Sequence, residues 1–263
     1  MGRSGRRPYS ATNKLPRRPA APLPSPTLPS NMPLRGIIFD IDGTLVDTNP
    51  AHVDAWRRGF QRLGYDVPVS RIVVEIGKGG DLLVPSILGE EAEERQGETL
   101  RKLQKEEFLA IAERESFRVF PCVPELFHAL HERKIRTALA TSSDKKHLSA
   151  VCRSAGLDLP SLVDILVTKD DAEASKPEPD LVLVAWEKLA VGPTECAMVG
   201  DTIYDGQACQ AAGVVFLGLE SGGTRSEALL EAGASRVWRD TGHLYADLDH
   251  ALDLAALSAV SRD

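Results

Sequence analysis

Short apolar runs alternate with amphipathic segments along most of the chain, beginning at Leu34. Apolar runs bounded by turn residues are typical of buried strands, and the segments between them repeat apolar residues at helical spacing. This alternation predicts an α/β fold with a doubly wound parallel sheet. The candidate strands are 35–40, 135–140, 163–167, 195–199, 214–219 and 235–238, and the candidate helices lie near 124–132, 144–155, 179–190, 204–212, 224–232 and 243–257.

The first two candidate strands are separated by about ninety residues, which is far more than one crossover connection needs. Residues 48–118 have an almost wholly helical pattern, with a first helix capped by Thr48 or Asn49, a short helix at 81–88 and a long helix near 91–114. We therefore predict an inserted α-helical cap domain at 48–118 and an α/β catalytic core made of 34–47 and 119–258.

Residues 1–33 differ in composition from the rest of the chain. They contain eight prolines, six basic residues and no acidic residue, which predicts a disordered basic tail. The tail has three possible interpretations: an organelle transit peptide, a basic interaction arm, or an upstream extension of a protein whose functional start is Met32. We favour the third, because Met32 directly precedes the first strand.

Charge and composition exclude several classes of protein. The net charge is −7, and the six basic residues of the tail leave about −13 on the remaining chain, which argues against a nucleic-acid-binding body. No apolar run approaches the roughly 20 residues that span a bilayer, so we expect no membrane partner. The four widely spaced cysteines fit reduced thiols in the cytoplasm. Monomer and homodimer are both compatible with the sequence.

Two aspartates follow the apolar run at 36–39. Asp40 and Asp42 are two residues apart, so their side chains point to the same face of an extended chain. Gly43 then permits a turn with positive φ at the carboxyl end of the strand, where open α/β sheets bind ligands. One aspartate can attack phosphorus while the other transfers protons; the alternative is a solvated strand end.

Two further segments can hold a phosphate group. Thr141 and Ser142 end the strand at 135–140 and precede a helix N-terminus, where backbone amides favour anions; either residue could instead be only a helix cap. Lys176 lies in a proline-containing loop before Asp180, which we expect to cap the next helix. The charge of Lys176 could offset the nucleophile and the phosphate oxygens, although a surface lysine is the alternative.

The last polar segment suggests a metal site. Asp201 and Asp205 follow an apolar run that ends in Val199-Gly200, and carboxylate oxygens suit Mg²⁺. We expect Asp201 to be the direct ligand. Asp205 could hold a metal-bound water from outside the coordination shell, or cap the following helix.

Four segments together, FDIDGTLVDT at 39–48, LATSS at 139–143, SKPEPD at 175–180 and VGDTIYD at 199–205, resemble the haloacid dehalogenase superfamily over residues 34 to about 250. Within it they are similar to the phosphoglycolate phosphatase and β-phosphoglucomutase-like group. The resemblance implies a Rossmann-like core, a mobile cap and a catalytic Mg²⁺. It implies that Asp40 is the nucleophile that forms an aspartyl-phosphate, and that Asp42 is the general acid and base.

The same resemblance implies the ligands of the phosphate and of the metal. Thr141 and Lys176 would hold the phosphate, and Asp40, the Asp42 carbonyl and Asp201 would hold Mg²⁺. Members of the superfamily that cleave carbon–halogen bonds lack the second aspartate, so the presence of Asp42 argues against dehalogenation.

Residues of the cap bear on the choice between hydrolase and mutase. His52 is similar to a cap histidine that controls protons in β-phosphoglucomutase, although it could be an ordinary helix residue near the hinge. Those enzymes carry basic cap-loop residues where this sequence has Ile76 and Gly80, which favours hydrolysis. Lys78, in the same loop, could contact the leaving group or be an exposed loop tip.

The sequence therefore predicts a Mg²⁺-dependent phosphatase that hydrolyses a small phosphorylated metabolite through an aspartyl-phosphate. The first alternative is a phosphosugar mutase like β-phosphoglucomutase. The second is a non-catalytic protein that binds a phosphorylated ligand.

Overall fold

The computed structural model describes residues 34–260, and in this part of the chain six parallel strands form one sheet in the order β3-β2-β1-β4-β5-β6. The α/β fold with a doubly wound parallel sheet is therefore confirmed. The strands are β1 Gly36–Phe39, β2 Arg136–Ala140, β3 Ile165–Val167, β4 Cys196–Gly200, β5 Val215–Leu219 and β6 Ala234–Trp238.

Both faces of the sheet are buried, which explains why its strands are continuously apolar. In β1, Ile37 and Phe39 belong to one apolar cluster and Ile38 belongs to another, because successive side chains of a strand point to opposite faces. Strand β1 pairs with β2 on one side and β4 on the other. The residues that follow these three strands therefore meet at the centre of the carboxyl edge.

Helices cover both faces of the sheet. The first cluster includes Phe127, Leu148 and Leu248, and the second includes Leu181 and Ala208. Numbered in chain order, these helices are α5 Val123–Glu132, α6 Lys145–Ala155, α7 Asp180–Leu189, α8 Ile203–Ala212, α9 Ser226–Glu231, α10 Thr241–Ala246 and α11 Leu248–Val260.

The segment between β1 and α5 is helical and has an apolar cluster of its own, which includes Trp56, Phe60 and Leu100. At Gly59 an added Cβ would lie 3.3 Å from the backbone nitrogen of Gln104, so the first and last of its helices approach closely there. The boundaries proposed for the cap domain remain a prediction. The helices are α1 Asn49–Arg62, α2 Val69–Val73, α3 Gly80–Leu88 and α4 Glu90–Ala112.

The two chain segments that join these helices to the sheet run side by side. The Asp47 amide donates to the Arg118 carbonyl at 2.9 Å, and the Phe120 amide donates to the Leu45 carbonyl at 3.0 Å. Helix α1 begins soon after β1 ends. The helical segment consequently lies next to the carboxyl edge of the sheet.

Three local predictions differ from the structure. The helix expected at 243–257 is two helices, α10 and α11, separated at Asp247, whose carboxylate accepts a hydrogen bond from Trp238 Nε1 at 2.9 Å. Asp180 does not cap α7, because it is already the first helical residue and its carboxylate accepts from the Ala174 amide at 3.3 Å. Thr48 is the N-cap of α1 without a side-chain capping bond, since its hydroxyl donates to Asp42 instead.

The predicted disordered tail at 1–33 lies outside the described residues. Within residues 34–260, no helix has both the length and the apolar character that crossing a bilayer requires.

Candidate active site

A cavity of about 430 Å³ lies between the carboxyl edge of the sheet and the helical segment. Asp40, Asp42 and Lys176 line it from the sheet, and residues of α1 and α4 line it from the other side. Three of the four segments singled out in the sequence thus contribute to one cavity. The fourth contributes Asp201 and Asp205, which are completely buried.

Asp40 and Lys176 form a buried ion pair, with exposures of 5% and 2%. Lys176 Nζ donates to Asp40 Oδ1 and also to Asp205 Oδ1, the latter at 2.7 Å. Burial raises the pKa of Asp40 to about 7, with Asp205 and Asp42 adding to the effect and Lys176 opposing it. Burial lowers the pKa of Lys176, but the carboxylates of Asp205 and Asp40 outweigh it and hold that pKa above its usual range. The lysine is therefore a fixed positive charge beside Asp40.

Asp42 accepts hydrogen bonds from three side chains. Thr48 Oγ1 lies 2.6 Å and His52 Nε2 lies 3.2 Å from Oδ1, and Ser143 Oγ lies 3.3 Å from Oδ2. Burial raises the pKa of Asp42, but the interactions with His52 and Thr48 outweigh burial and hold that pKa below its usual range. In this arrangement Asp42 is an ionised carboxylate.

His52 connects Asp42 to the last helix of the cap segment. Gln104 Nε2 lies 3.4 Å from His52 Nδ1, and an amide nitrogen can only donate, so Nδ1 accepts and Nε2 carries the proton that points to Asp42. The imidazole also stacks on the Phe108 ring at a centroid distance of 4.2 Å. The structure thus places His52 at the candidate site, within hydrogen-bond distance of Asp42.

The residues after β2 present an unpartnered hydroxyl to the cavity. Thr141 is 1% exposed, and its Oγ1 accepts from the Ser143 amide at 3.0 Å. Ser142 Oγ is buried and has no hydrogen-bond partner among the described residues, and Ser142 lines the cavity. Buried hydroxyls are almost always hydrogen-bonded, so a phosphate oxygen at this position would satisfy Ser142.

Three buried carboxylates form the candidate metal site. Asp40, Asp201 and Asp205 each offer an oxygen, and these atoms lie within 4.8 Å of one another. Burial, with the charges of Asp40 and Asp205, raises the pKa of Asp201 well above its usual value. Lys176 balances only part of this negative charge. The residues therefore fit Mg²⁺, which binds carboxylate oxygens and would neutralise them.

Asp201 is held by two residues that precede or begin α1. Thr44 Oγ1 donates to Asp201 Oδ1 at 2.7 Å, and Asn49 Nδ2 donates to Oδ2 at 3.1 Å. An added Cβ at Gly222 would lie 1.6 Å from Asp201 Oδ2. Gly43, which directly precedes Thr44, has a backbone φ of +82°, the positive value that the sequence predicted. Asp201 thus occupies a tight pocket that fixes the direction of its carboxylate.

Asp205 has the capping role that was one of its two predicted possibilities. Its Oδ2 accepts from the Thr202 amide at 3.0 Å and from Thr202 Oγ1 at 2.6 Å, at the start of α8. Its Oδ1 accepts from Lys176 Nζ. Asp205 is therefore engaged through both oxygens and positions the lysine.

Lys78 lies on the cavity wall, but its amine is already engaged. Its Nζ donates to Glu75 and to Ser86 Oγ, the latter at 3.3 Å, and lies 5.0 Å from the centroid of the Tyr204 ring. The Lys78 side chain is therefore held in place by Glu75, Ser86 and Tyr204. A direct contact between Lys78 and a leaving group stays a prediction.

The sequence did not identify Thr44 or Gln104 as residues of the site, and it indicated Asn49 only as a possible helix cap. Gln104 is 7% exposed on the apolar face that α4 also forms with Leu100 and Leu103. A polar residue on a buried stripe is the signal that could have identified it, since buried polar groups need partners. Thr44 and Asn49 carry no comparable signal, because their partner Asp201 is more than 150 residues away.

A family model described as haloacid dehalogenase-like hydrolase matches residues 34–213. A phosphoglycolate phosphatase of Shigella boydii is 29% identical over 219 residues, which cover 74% of this chain and 85% of that relative. The crystal structure of a hydrolase from Pseudomonas syringae superposes with a TM-score of 0.76 and 30% identity, covering 82% of this chain and 98% of that one. A β-phosphoglucomutase from Clostridium difficile shares the fold, with a TM-score of 0.73, 19% identity and coverage of 86% and 99%.

Proposed function

This chain belongs to the haloacid dehalogenase-like hydrolase family and is a phosphatase, and from this premise we propose that it hydrolyses a small phosphorylated metabolite with Asp40 as nucleophile and Mg²⁺ as cofactor. The observation that carries the proposal is the convergence of Asp40, Asp42 and Lys176 on one cavity beside the unpartnered hydroxyl of Ser142. These groups can supply a nucleophile, a proton donor and ligands for phosphate oxygens.

In the first step Asp40 Oδ attacks phosphorus, the bond between phosphorus and the leaving oxygen breaks, and Asp42 gives a proton to that oxygen. In the second step Asp42 takes a proton from water, the water oxygen attacks phosphorus, and the bond to Asp40 breaks. Lys176 and Ser142 would bind the phosphate oxygens through both steps. Because two moderate barriers replace one high barrier, a covalent intermediate accelerates hydrolysis.

The hydrogen bonds of Asp42 suit the second step better than the first. Three donors stabilise the ionised carboxylate, which can accept a proton from water. To donate a proton, Asp42 must first be protonated, which these three hydrogen bonds oppose because they stabilise the ionised form. We infer that the contacts to Thr48 and His52 rearrange when the substrate binds.

Asp40, Asp201 and the Asp42 carbonyl would hold the metal ion, and Asp205 would hold Lys176. When bound, the ion would offset the negative charge that gathers on the phosphate and the nucleophile. Thr44 and Asn49 would keep Asp201 directed toward it.

Asp40→Asn tests the assignment. We expect turnover to become undetectable while the circular dichroism spectrum stays unchanged, because an amide cannot act as the nucleophile. After acid quench with a ³²P-labelled substrate, the wild-type protein should carry label on the peptide that contains residue 40. Asp66→Asn is the matched control, since Asp66 is exposed and does not line the cavity. Normal turnover in Asp40→Asn would contradict the assignment.

A phosphosugar mutase remains the alternative activity. Ile76 and Gly80, where β-phosphoglucomutases were expected to carry basic residues, both line the cavity, and they supply no side-chain positive charge to a reoriented phosphosugar. Hydrolysis is therefore favoured. Phosphorus NMR of the products separates the two activities, because a hydrolase releases inorganic phosphate and a mutase releases an isomeric phosphosugar. A cytoplasmic location stays a prediction.

A further inference from the structure

We propose that the leaving group of the substrate carries a hydroxyl group close to the ester oxygen, and that Nε2 of His147 accepts a hydrogen bond from this hydroxyl. The proposal rests on the proposed phosphatase function and narrows its substrate class to phosphorylated diols, polyols and sugars. His147 lies in the first turn of α6 and lines the cavity, yet none of the catalytic steps described above uses it.

His147 is buried close to the expected position of the leaving group. The residue is 7% exposed. The centroid of its ring lies 5.1 Å from that of Phe108 in α4 and 6.3 Å from that of His52 in α1. His52 Nε2 is 3.2 Å from Asp42, which would give a proton to the leaving oxygen. His147 is thus one ring removed from the reacting atoms, so we expect it beside the first few carbons of the leaving group.

The hydrogen bonds of Asp144 fix the tautomer of His147. Asp144 Oδ1 accepts from the His147 amide at 2.9 Å and lies 3.4 Å from Nδ1, and Oδ2 accepts from Lys105 Nζ of α4. Burial raises the pKa of Asp144, but the hydrogen bonds from Lys105 and from the His147 amide outweigh burial and hold that pKa at about 2. Because an ionised carboxylate can only accept, Nδ1 carries the ring proton.

Nε2 of His147 is therefore an acceptor without a proton. Burial and the neighbouring His52 lower the pKa of His147 to about 4, while the charges of Asp144 and Asp42 oppose them, so the imidazole is neutral near pH 7. No group within residues 34–260 donates to Nε2. Buried polar groups are almost always hydrogen-bonded. In the substrate complex, the donor must come from the molecule that occupies the cavity.

A ring nitrogen without a proton discriminates between leaving groups. A hydroxyl can donate to Nε2, whereas a carboxylate presents only lone pairs to it. Asp42 and Asp144, whose charges act on the ring, are both ionised and would repel an anion at the same place. A hydrocarbon would leave Nε2 without any partner, which is unfavourable for a buried acceptor. A hydroxyl is therefore the substituent that suits this position.

His147→Phe tests the proposal with four matched esters: glycerol phosphate, its two analogues that each lack one hydroxyl, and propyl phosphate, which lacks both. Phenylalanine keeps a ring but has no acceptor. The wild-type protein should prefer at least one hydroxylated ester to propyl phosphate, and the substitution should lower that ratio of kcat/KM about five- to tenfold, as expected for one buried hydrogen bond. His147→Gln, whose side-chain oxygen can accept, should recover part of the ratio.

His128→Phe is the matched control, because the His128 side chain is 76% exposed, pairs with Glu132 and does not line the cavity. It should leave the ratio unchanged. Circular dichroism of all three variants checks that they fold.

The ¹⁵N NMR spectrum of the imidazoles gives a readout independent of turnover. Near pH 7, His147 should show a protonated Nδ1 and an unprotonated Nε2, the opposite of the tautomer inferred for His52. In the Asp40→Asn protein, the hydroxylated ester preferred by the wild-type protein should shift the Nε2 resonance of His147. Propyl phosphate should leave that resonance near its position in the free protein.

A protonated Nε2 in the free protein, or equal losses for all four esters in His147→Phe, would overturn the proposal while leaving the phosphatase function intact. A wild-type protein that hydrolyses the four esters equally well would also overturn it. Failure to hydrolyse any ester with Mg²⁺, p-nitrophenyl phosphate included, would instead refute the proposed function. In that case the Nε2 resonance still decides the proposal, because no shift with any hydroxylated ester would refute the hydrogen bond.

Discussion

Replacing Lys176 by Met tests how the buried charges at the site are balanced. The lysine side chain is 3% exposed, and the side chains of its partners Asp40 and Asp205 are 7% and 1% exposed. At 2.7 Å from Asp205 and an effective dielectric constant of about 20, the attraction is about 6 kcal/mol before desolvation is subtracted. Removing one partner of such a pair leaves uncompensated buried charge and typically costs about 3–5 kcal/mol.

The expected result is a large loss of thermal stability. For a chain of this size, 1 kcal/mol corresponds to about 2–4 °C in Tm, so Lys176→Met should lower Tm by about 6–20 °C in metal-free buffer near pH 8. Lys188→Met is the matched control: Lys188 is 41% exposed and pairs with Asp171 at 3.0 Å. An exposed pair contributes at most about 1 kcal/mol, so the control should lose less than about 4 °C.

The pH dependence gives a second measurement on the same variant. Without the lysine, burial and the neighbouring carboxylates would raise the pKa of Asp40 in the folded state further above its unfolded value, because Lys176 no longer opposes them. Groups of this kind stabilise the fold at low pH and lose that contribution as pH rises. The loss of Tm should therefore be smaller at pH 5 than at pH 8, and Lys176→Met/Asp205→Asn should recover part of it. Equal losses for Lys176→Met and Lys188→Met would refute the reasoning.

Two further outcomes follow from the same site. Burial raises the pKa of Asp40 to about 7, so in metal-free protein its stabilising contribution falls as pH rises from about 4 through 7. Mg²⁺ favours the ionised form and should raise Tm more at pH 8 than at pH 5.5; an equal rise at both values, against an EDTA control, would contradict this. Gly222→Ala places a Cβ 1.6 Å from Asp201 Oδ2 and should cost about 1–3 kcal/mol in urea unfolding and weaken Mg²⁺ binding. Gly192→Ala, with no contact closer than 3.3 Å, should change neither.

Much of the fold was predictable because its signals are local. Buried parallel strands are continuously apolar, so β1, β2, β4 and β5 were placed to within one or two residues of their bounds. The last helix was wrongly predicted as continuous; at its break Asp247 accepts a hydrogen bond from Trp238, which belongs to β6. A side-chain contact of this kind leaves no periodic pattern in the sequence.

The sequence by itself determined which residues stand at the carboxyl ends of the strands. Because Asp40 and Asp42 are two residues apart, the geometry of an extended chain places their side chains on the same face. Gly43 permits the sharp turn that follows because it has no side chain. Both are properties of neighbouring residues, which the chain fixes before any long-range contact forms.

Only the tertiary structure decided how these groups are paired. The order of the strands brings Lys176 between Asp40 and Asp205, and the helical segment brings Thr48 and His52 onto Asp42. Such pairings depend on which strands and helices become neighbours in space. The physical reason is that the charge of a buried group is set by everything packed around it, most of which is distant along the chain.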